Sequence, residues 1–256
     1  MGGALASAVA KAVSHEEIAV CDAYAPKAEA FAVEHGVKVS HAAEIAANAE
    51  YIFRGVKPQS FEDLFAEIAP LLQKREDGFV LISMAAGITC ATVEAMAGCT
   101  CAVIRIMPNT PVMVGEGVVL YCTNRNVPDE KIETFRASLA HAGVVDPIEE
   151  SKIDAASALS GCGPAFVAMF AEALADGAVE CGLPRDKALL YAAQTLLGTA
   201  ALMQKTGRHP AALKDAVCSP GGSTIVGVHA AEQGGMRAAA SDAVVAAYKR
   251  TLEMKQ

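Results

Sequence analysis

The chain has 256 residues, of which 53% are hydrophobic, so it can bury one large core or two modest ones. Aromatic residues make up only 5% and Trp is absent, so the interior has to be packed mainly with aliphatic side chains. The formal net charge of −8 argues against nucleic acid as a partner, because binding to phosphates needs a basic surface.

The eight cysteines are scattered, with no C-x-x-C pair and no zinc-like spacing with histidine. This pattern is typical of reduced thiols inside a cell, and it predicts no bound metal. The N-terminus lacks the basic segment that begins a signal peptide. The longest uncharged runs, 155–171 and 189–204, are interrupted by glycine, proline or glutamine. We therefore expect a soluble cytoplasmic protein without a membrane partner.

Short apolar runs alternate with amphipathic stretches in the first half of the chain. The pattern predicts strands at 18–21, 37–39, 51–56, 79–83 and 102–106, and helices at 4–13, 25–34, 42–48, 61–72 and 91–96. This order is typical of an α/β domain with a doubly wound, mostly parallel sheet. Ligands of such sheets bind beyond the carboxyl ends of the strands. We assign residues 1–150 to this domain.

The pattern becomes helical from about residue 150. It predicts helices at 151–159, 164–181, 185–206, 210–217 and 224–233, with one or two more over 236–255. The stretch from 164 to 206 is unusually apolar for a surface. We therefore expect residues 151–256 to form an all-helical domain that buries a face against a second copy of the chain. A self-contained bundle is the alternative.

The segment Cys218–Thr224 places two glycines and three hydroxyl side chains directly before an apolar helical run. Glycines let the backbone curl until several N–H groups point at one spot, and the dipole at a helix N-terminus also favours an anion. The segment therefore predicts a cradle for a carboxylate or a phosphate, formed by Ser219, Gly221, Gly222 and Ser223. An ordinary tight turn followed by a helix cap is the alternative.

The chain opens on Gly2 and Gly3, and a helical pattern follows at once. In a dinucleotide-binding unit a strand and a G-x-G-x-x-G loop precede such a helix, and an acid about 20 residues further on bonds the ribose hydroxyls. Asp22 has this spacing from Gly2. We interpret Gly2 as the last glycine of that fingerprint and expect the first strand and the earlier glycines to be missing from the sequence. A flexible glycine pair before a helix is the alternative.

Seven short motifs follow one another along the chain. They are Val56–Gln59, Ser83–Ile88, Arg105–Pro111, Leu159–Ala165, Gly182–Arg185, His209–Asp215 and Val217–Thr224. In this order they resemble the motifs of the pyrroline-5-carboxylate reductase family, and the resemblance covers essentially all of the sequence. It implies a Rossmann-like nicotinamide-dinucleotide domain and a helical domain that interlocks with a partner subunit, as a homodimer or a ring of dimers.

The resemblance also implies an activity, which is the reduction of 1-pyrroline-5-carboxylate to L-proline, the last step of proline biosynthesis. Thr224 would hydrogen-bond the imine nitrogen as the catalytic residue, the cradle would hold the substrate carboxylate, and Glu150 would lie near the substrate. The implied cofactor contacts are Gly55, Val56, Lys57, Pro58, Met84, Ala85, Ala86 and Asn109. NADP(H) is the cofactor of the family, whereas Asp22 would repel a 2′-phosphate, so NAD(H) is the alternative.

Two other functions fit parts of the sequence. A Rossmann dehydrogenase of the β-hydroxyacid type also has a helical second domain, but it uses a lysine on the first long helix there, and residues 165–181 contain none. A non-catalytic oligomerisation or binding module would result if the pyrophosphate loop were absent. Arg54 departs from the family pattern, and a charge within a strand must be paired or reach solvent to avoid a desolvation cost.

Overall fold

A computed structural model describes residues 1–55 and 61–254 of the chain. Val56, Lys57 and Pro58, three of the predicted cofactor contacts, lie outside the described residues. The chain forms two compact units, Met1–Gly161 with Tyr248–Gln256 and Cys162–Ala247. The domain boundary near residue 150 stays a prediction.

Strands and helices alternate in the first unit, as the sequence predicted. The strands are β1 (Ala19–Val20), β2 (Lys38–Val39), β3 (Tyr51–Arg54), β4 (Val80–Ser83), β5 (Ala102–Pro108), β6 (Gly117–Thr123) and β7 (Gly143–Pro147). The helices are α1 (Gly2–Ala10), α2 (Ala25–His35), α3 (Ala42–Asn48), α4 (Phe61–Leu72), α5 (Cys90–Ala97), α6 (Asp129–Ser138) and α7 (Ile153–Ser160). The sequence analysis did not identify β6, α6 or β7.

Most of these strands belong to one five-stranded sheet with the order β3-β4-β5-β6-β7. Its neighbours are parallel except for β5 and β6, which are antiparallel. The strands β1 and β2 form a separate parallel pair. Among the described residues no strand precedes α1, and the expectation of an earlier strand stays a prediction.

Both faces of the five-stranded sheet are covered by helices. Alternate residues of β4 point to opposite faces, and all four are buried. Leu81 packs with the buried side chains of α3, α4 and α5 on one face. Val80 and Ile82 pack with α1 and α6 on the other face. This arrangement confirms the predicted doubly wound architecture.

Gly143 shows where β6 and β7 approach too closely for a side chain. Its φ is +112°, and a Cβ built on it would lie 2.2 Å from the carbonyl oxygen of Gly117, its partner in the sheet. We expect Gly143→Ala to lower the free energy of unfolding by about 2–3 kcal/mol in urea denaturation, because both the strained φ and the clash would have to be accommodated. Gly78→Ala is the control, since a Cβ there meets open space. An equal loss in both variants would contradict this explanation.

The second unit is helical. Its helices are α8 (Gly163–Glu180), α9 (Arg185–Thr206), α10 (Pro210–Val217), α11 (Ser223–Gln233) and the part of α12 (Met236–Glu253) that precedes Tyr248. The four helices predicted over 164–233 are confirmed, and the one or two predicted over 236–255 form a single helix. The helices α8 and α9 pack through small side chains, with Ala175, Ala188 and Ala192 buried between them.

Large apolar side chains remain exposed on the helices of the second unit. They include Val167, Met169, Phe170, Leu174, Leu189, Leu190, Tyr191, Leu197 and Leu202. The stretch Glu150–Glu180 is, within the described part of the chain, long and apolar enough to cross a membrane. Length and composition alone are weak evidence for a span, and the stretch is divided at Gly161 between α7 and α8.

Candidate active site

The start of α1 lies beside the ends of two strands of the five-stranded sheet. Gly2 begins α1, Gly55 follows β3 and Met84 follows β4. A Cβ on Gly55 would lie 3.2 Å from the Cα of Gly2 and 3.6 Å from the Sδ of Met84. The structure therefore brings together three of the predicted cofactor contacts. The first turn of α1 carries no acidic side chain, so its dipole is free to attract an anion.

Asp22, the residue predicted to bond the ribose hydroxyls of the cofactor, follows β1. Two neighbouring groups contact its carboxylate. Lys27 Nζ lies 2.9 Å from its Oδ2, and the N–H of Tyr24 donates to its Oδ1 at 3.1 Å. The hydrogen bond from Lys27, followed by that from Tyr24, holds the pKa of Asp22 below its ordinary value. The ion pair is exposed and contributes little to stability. It places a cation beside the predicted ribose acid, whose contact with a cofactor stays a prediction.

The loops after β4 and β5 carry the next predicted contacts. Ala85 is buried in the core, and Ala86 follows it in a turn. Asn109 is buried as well, and its amide is occupied at both ends. Its Nδ2 donates to the carbonyl of Ser160 at 2.9 Å, and its Oδ1 accepts from the N–H of Val118 at 2.8 Å. Asn109 therefore ties the end of β5 to β6 and α7, and its contact with a cofactor stays a prediction.

Glu150 belongs to a charged cluster in the first unit. Its Oε1 accepts hydrogen bonds from the N–H of Cys90 at 2.8 Å and from Nη1 of Arg105 at 3.3 Å. The Nη2 of Arg105 lies 3.5 Å from Oδ1 of Asp154. The Arg105 side chain is only 1% exposed, so the two carboxylates neutralise a charge inside the core.

Sequence reasoning missed Arg105, Asp154 and Cys122 as members of this region. The one available signal was a charge in the middle of the apolar run of β5, since Arg105 stands between Ile104 and Ile106. The register places Cys122 of β6 opposite Arg105.

Arg54 is buried at the end of β3, where it is 3% exposed. Its guanidinium lies over the rings of Phe61 and Phe65, 4.6 and 4.2 Å from their centroids. Burial lowers its pKa to about 10. Within residues 1–55 and 61–254 none of its guanidinium nitrogens has a hydrogen-bond partner. The two aromatic faces therefore compensate only part of its desolvation.

The predicted cradle is the N-terminus of α11 in the second unit. Gly221 has a φ of +69°, and a Cβ on Gly222, the N-cap, would lie 2.3 Å from Oγ of Ser219. The backbone therefore favours glycine at position 221, and a side chain at position 222 would displace the hydroxyl of Ser219. The first N–H groups of a helix have no partner inside it, and here the hydroxyls of Ser223 and Thr224 lie on exposed residues of the same turn. The arrangement can accept an anion, and the binding of a carboxylate there stays a prediction.

Comparisons with known proteins match two family models to separate parts of the chain. Residues 150–254 match the model described as pyrroline-5-carboxylate reductase dimerisation. Residues 1–87 match the model described as NADP oxidoreductase, coenzyme F420-dependent. The fold and these matches define a Rossmann-type oxidoreductase domain followed by a helical dimerisation domain.

Similar proteins extend over most of the sequence. Pyrroline-5-carboxylate reductase 3 of Danio rerio is 45% identical over 86% of this chain and 76% of its own length. Pyrroline-5-carboxylate reductase of Synechocystis sp. is 38% identical over 99% of this chain and 96% of its own length. The chain belongs to the pyrroline-5-carboxylate reductase family, as its motifs indicated.

Solved structures agree with this assignment. The pyrroline-5-carboxylate reductase of Coxiella burnetii superposes with a TM-score of 0.91 at 28% identity, covering 100% of this chain and 94% of that one. Plasmodium falciparum pyrroline carboxylate reductase with NADP bound superposes with a TM-score of 0.84 at 30% identity, covering 100% and 95%.

Proposed function

We propose that this chain reduces 1-pyrroline-5-carboxylate to L-proline with a reduced nicotinamide cofactor. The observation that carries the proposal is the N-terminus of α11, where a left-handed Gly221 and a first turn that bears hydroxyls form an anion cradle. The names of the relatives support it, and so does their agreement with this chain over almost its full length. The cradle suits a substrate that carries a carboxylate.

The site residues have separate roles in this proposal. The N–H groups of Gly221 and Ser223 hold the substrate carboxylate, helped by the hydroxyl of Ser219. The N–H of Gly222, also predicted for this role, donates to the carbonyl of Ser219 at 3.0 Å and closes the turn. The hydroxyl of Thr224 donates a hydrogen bond to the imine nitrogen, which makes the neighbouring carbon a better hydride acceptor. The nicotinamide supplies the hydride, and a proton on nitrogen completes the amine. Most of the protein's contribution is orientation of the two reactants.

The residues at the start of α1 fit a dinucleotide. The close approach of Gly2 and Gly55 leaves backbone without side chains beside the helix N-terminus. An anionic pyrophosphate is the group that such a site accommodates. A structural neighbour with NADP bound supports NADP(H) as the cofactor of this chain, and NAD(H) is the alternative.

A direct assay tests the proposal. Purified protein is mixed with pyrroline-5-carboxylate and either NADPH or NADH, and the loss of reduced-nicotinamide absorbance is followed while L-proline is measured by mass spectrometry. We expect both signals, with the higher kcat/KM for NADPH. Folded protein that oxidises neither cofactor would favour the non-catalytic module. Oxidation of β-hydroxyacids in the absence of imine reduction would favour the other dehydrogenase class.

We also propose that the chain is a cytoplasmic homo-oligomer. The exposed apolar side chains of α8 and α9 support an interface with a second copy, because so much apolar surface is unusual on a monomer. All eight cysteines are free, which supports a reducing compartment. Light scattering after gel filtration tests the assembly, and cell fractionation tests the location.

The Asp22–Lys27 pair gives a prediction about cofactor preference. We expect Lys27→Ala to raise the KM for NADPH about fivefold and to leave that for NADH nearly unchanged. The reason is that the bare carboxylate would repel the 2′-phosphate with about 1 kcal/mol, and NADH has no such phosphate. Steady-state kinetics with both cofactors measure the split. Arg250→Ala, which removes another exposed ion pair, is the control. An equal rise in the KM for both cofactors would show that Lys27 does not contribute to the preference for NADPH.

A further inference from the structure

Two thiols and a carboxylate converge inside the first unit. Cys90 begins α5, Cys122 lies in β6, and Glu150 begins a short 3-10 helix before α7. Among the described residues, the two Sγ atoms and a carboxylate oxygen of Glu150 all lie within 4.8 Å of one another. The Sγ atoms are 4.0 Å apart, and both thiols are buried. The sequence showed no sign of this cluster, because its members are far apart along the chain.

We propose that this cluster binds a thiophilic divalent cation, of the class of Zn²⁺ and Cd²⁺. Cys90 and Cys122 would be thiolate ligands and Glu150 the oxygen ligand. Two Zn–S bonds of about 2.3 Å at a tetrahedral angle place the sulfur atoms about 3.8 Å apart. The observed 4.0 Å is close to that separation, so the site needs little rearrangement. Thiolate ligands select such cations over Mg²⁺ or Ca²⁺.

Metal binding leaves the charge of the cluster unchanged. The two thiolates carry two negative charges, and the divalent cation carries the two positive charges that offset them. Arg105, which is buried, faces Glu150 and Asp154 with or without the metal. Binding therefore adds no uncompensated charge to the core, which would be costly.

The carboxylate ligand is oriented in advance. The N–H of Cys90 and Nη1 of Arg105 both donate to Oε1 of Glu150, and we therefore assign Oε2 as the ligand atom. Such outer contacts fix the direction of a ligand and tune its affinity.

A cavity of about 440 Å³ adjoins two of the three ligand residues. Cys122 and Glu150 line it together with Tyr121, Pro147 and Ile148, whereas Cys90 does not. A water molecule would be the fourth ligand, as in other zinc sites with three protein ligands. Binding releases both thiol protons: M²⁺ + 2 RSH gives M(SR)₂ + 2 H⁺. The apparent affinity should therefore rise with pH.

The test uses the full chain, reduced and freed of metal with a chelator. Cd²⁺ titration is followed by thiolate-to-cadmium absorbance, and Zn²⁺ titration by calorimetry in buffers of different ionisation enthalpy, which counts released protons. We expect one equivalent of metal, and a loss of affinity of at least about a hundredfold in Cys90→Ser and in Cys122→Ser, because even outer-shell changes cost about 10–100-fold. Cys101→Ser, which removes a buried thiol outside the cluster, should bind as the unchanged protein does.

A second measurement covers the chance that a variant folds poorly. In the unchanged protein, bound Zn²⁺ should slow the alkylation of Cys90 and Cys122 by iodoacetamide relative to the metal-free protein, and leave the rate at the exposed Cys21 unchanged, read by peptide mass spectrometry. Failure of the reduced protein to bind either cation would overturn the proposal. So would binding that survives both substitutions, or that is lost in Cys101→Ser instead.

Discussion

Thr224→Val should lower kcat by about 10²–10³-fold, because the variant keeps the shape of the side chain but loses the hydroxyl that donates to the imine nitrogen. Removing one donor aimed at a reacting centre has an effect of this size in other active sites. Thr224 is exposed in the first turn of α11, so stability should change little. If the contact forms mainly in the transition state, kcat and kcat/KM fall together.

Two further variants separate chemistry from structure. Thr224→Ser restores a hydroxyl and should recover most of the lost rate. Thr134→Val removes an exposed hydroxyl on α6 that donates to the carbonyl of Glu130 at 3.0 Å, and its kcat should not change. Steady-state kinetics with saturating cofactor measure all three. Full activity of Thr224→Val would remove this residue from the proposed mechanism.

The sequence predicted the elements whose patterns are local. The amphipathic run of α4 has a helical period, and its bounds at Phe61 and Leu72 match the prediction. The run of β6 is apolar and mostly buried, and it lacks the alternation that marks a half-buried strand. The strand β7 is short and ends at Pro147. Neither segment has a periodic signal, which explains why both were missed.

The candidate site also has a part that could be predicted from the sequence and a part that could not. The bend at Gly221 and Gly222 is local, because it depends on the conformational freedom of glycine next to a helix start, and it could be predicted. The partners of Asn109 and Glu150 could not, because they come from segments distant in sequence that only the folded sheet brings together. A single sequence does not show which distant residues come into contact.

Arg105 is the residue whose loss should destabilise the first unit most. We expect Arg105→Met to lower the free energy of unfolding by about 3–5 kcal/mol, because it leaves the carboxylates of Glu150 and Asp154 partly buried without their cation. Urea denaturation at neutral pH measures the change, with an unaltered m-value as the sign that the unfolded state is the same. Arg136→Met breaks an exposed pair with Glu133 and should change stability by less than about 1 kcal/mol.

A double-mutant cycle distinguishes lost charge from lost packing. Asp154→Asn removes one of the two negative charges and keeps the volume of the side chain. If Arg105 acts through charge, the combined variant is less destabilised than the sum of the single ones, by about 0.5–3 kcal/mol. If Arg105 acts only by filling space, the two effects add. Additive effects would therefore contradict the electrostatic role of Arg105.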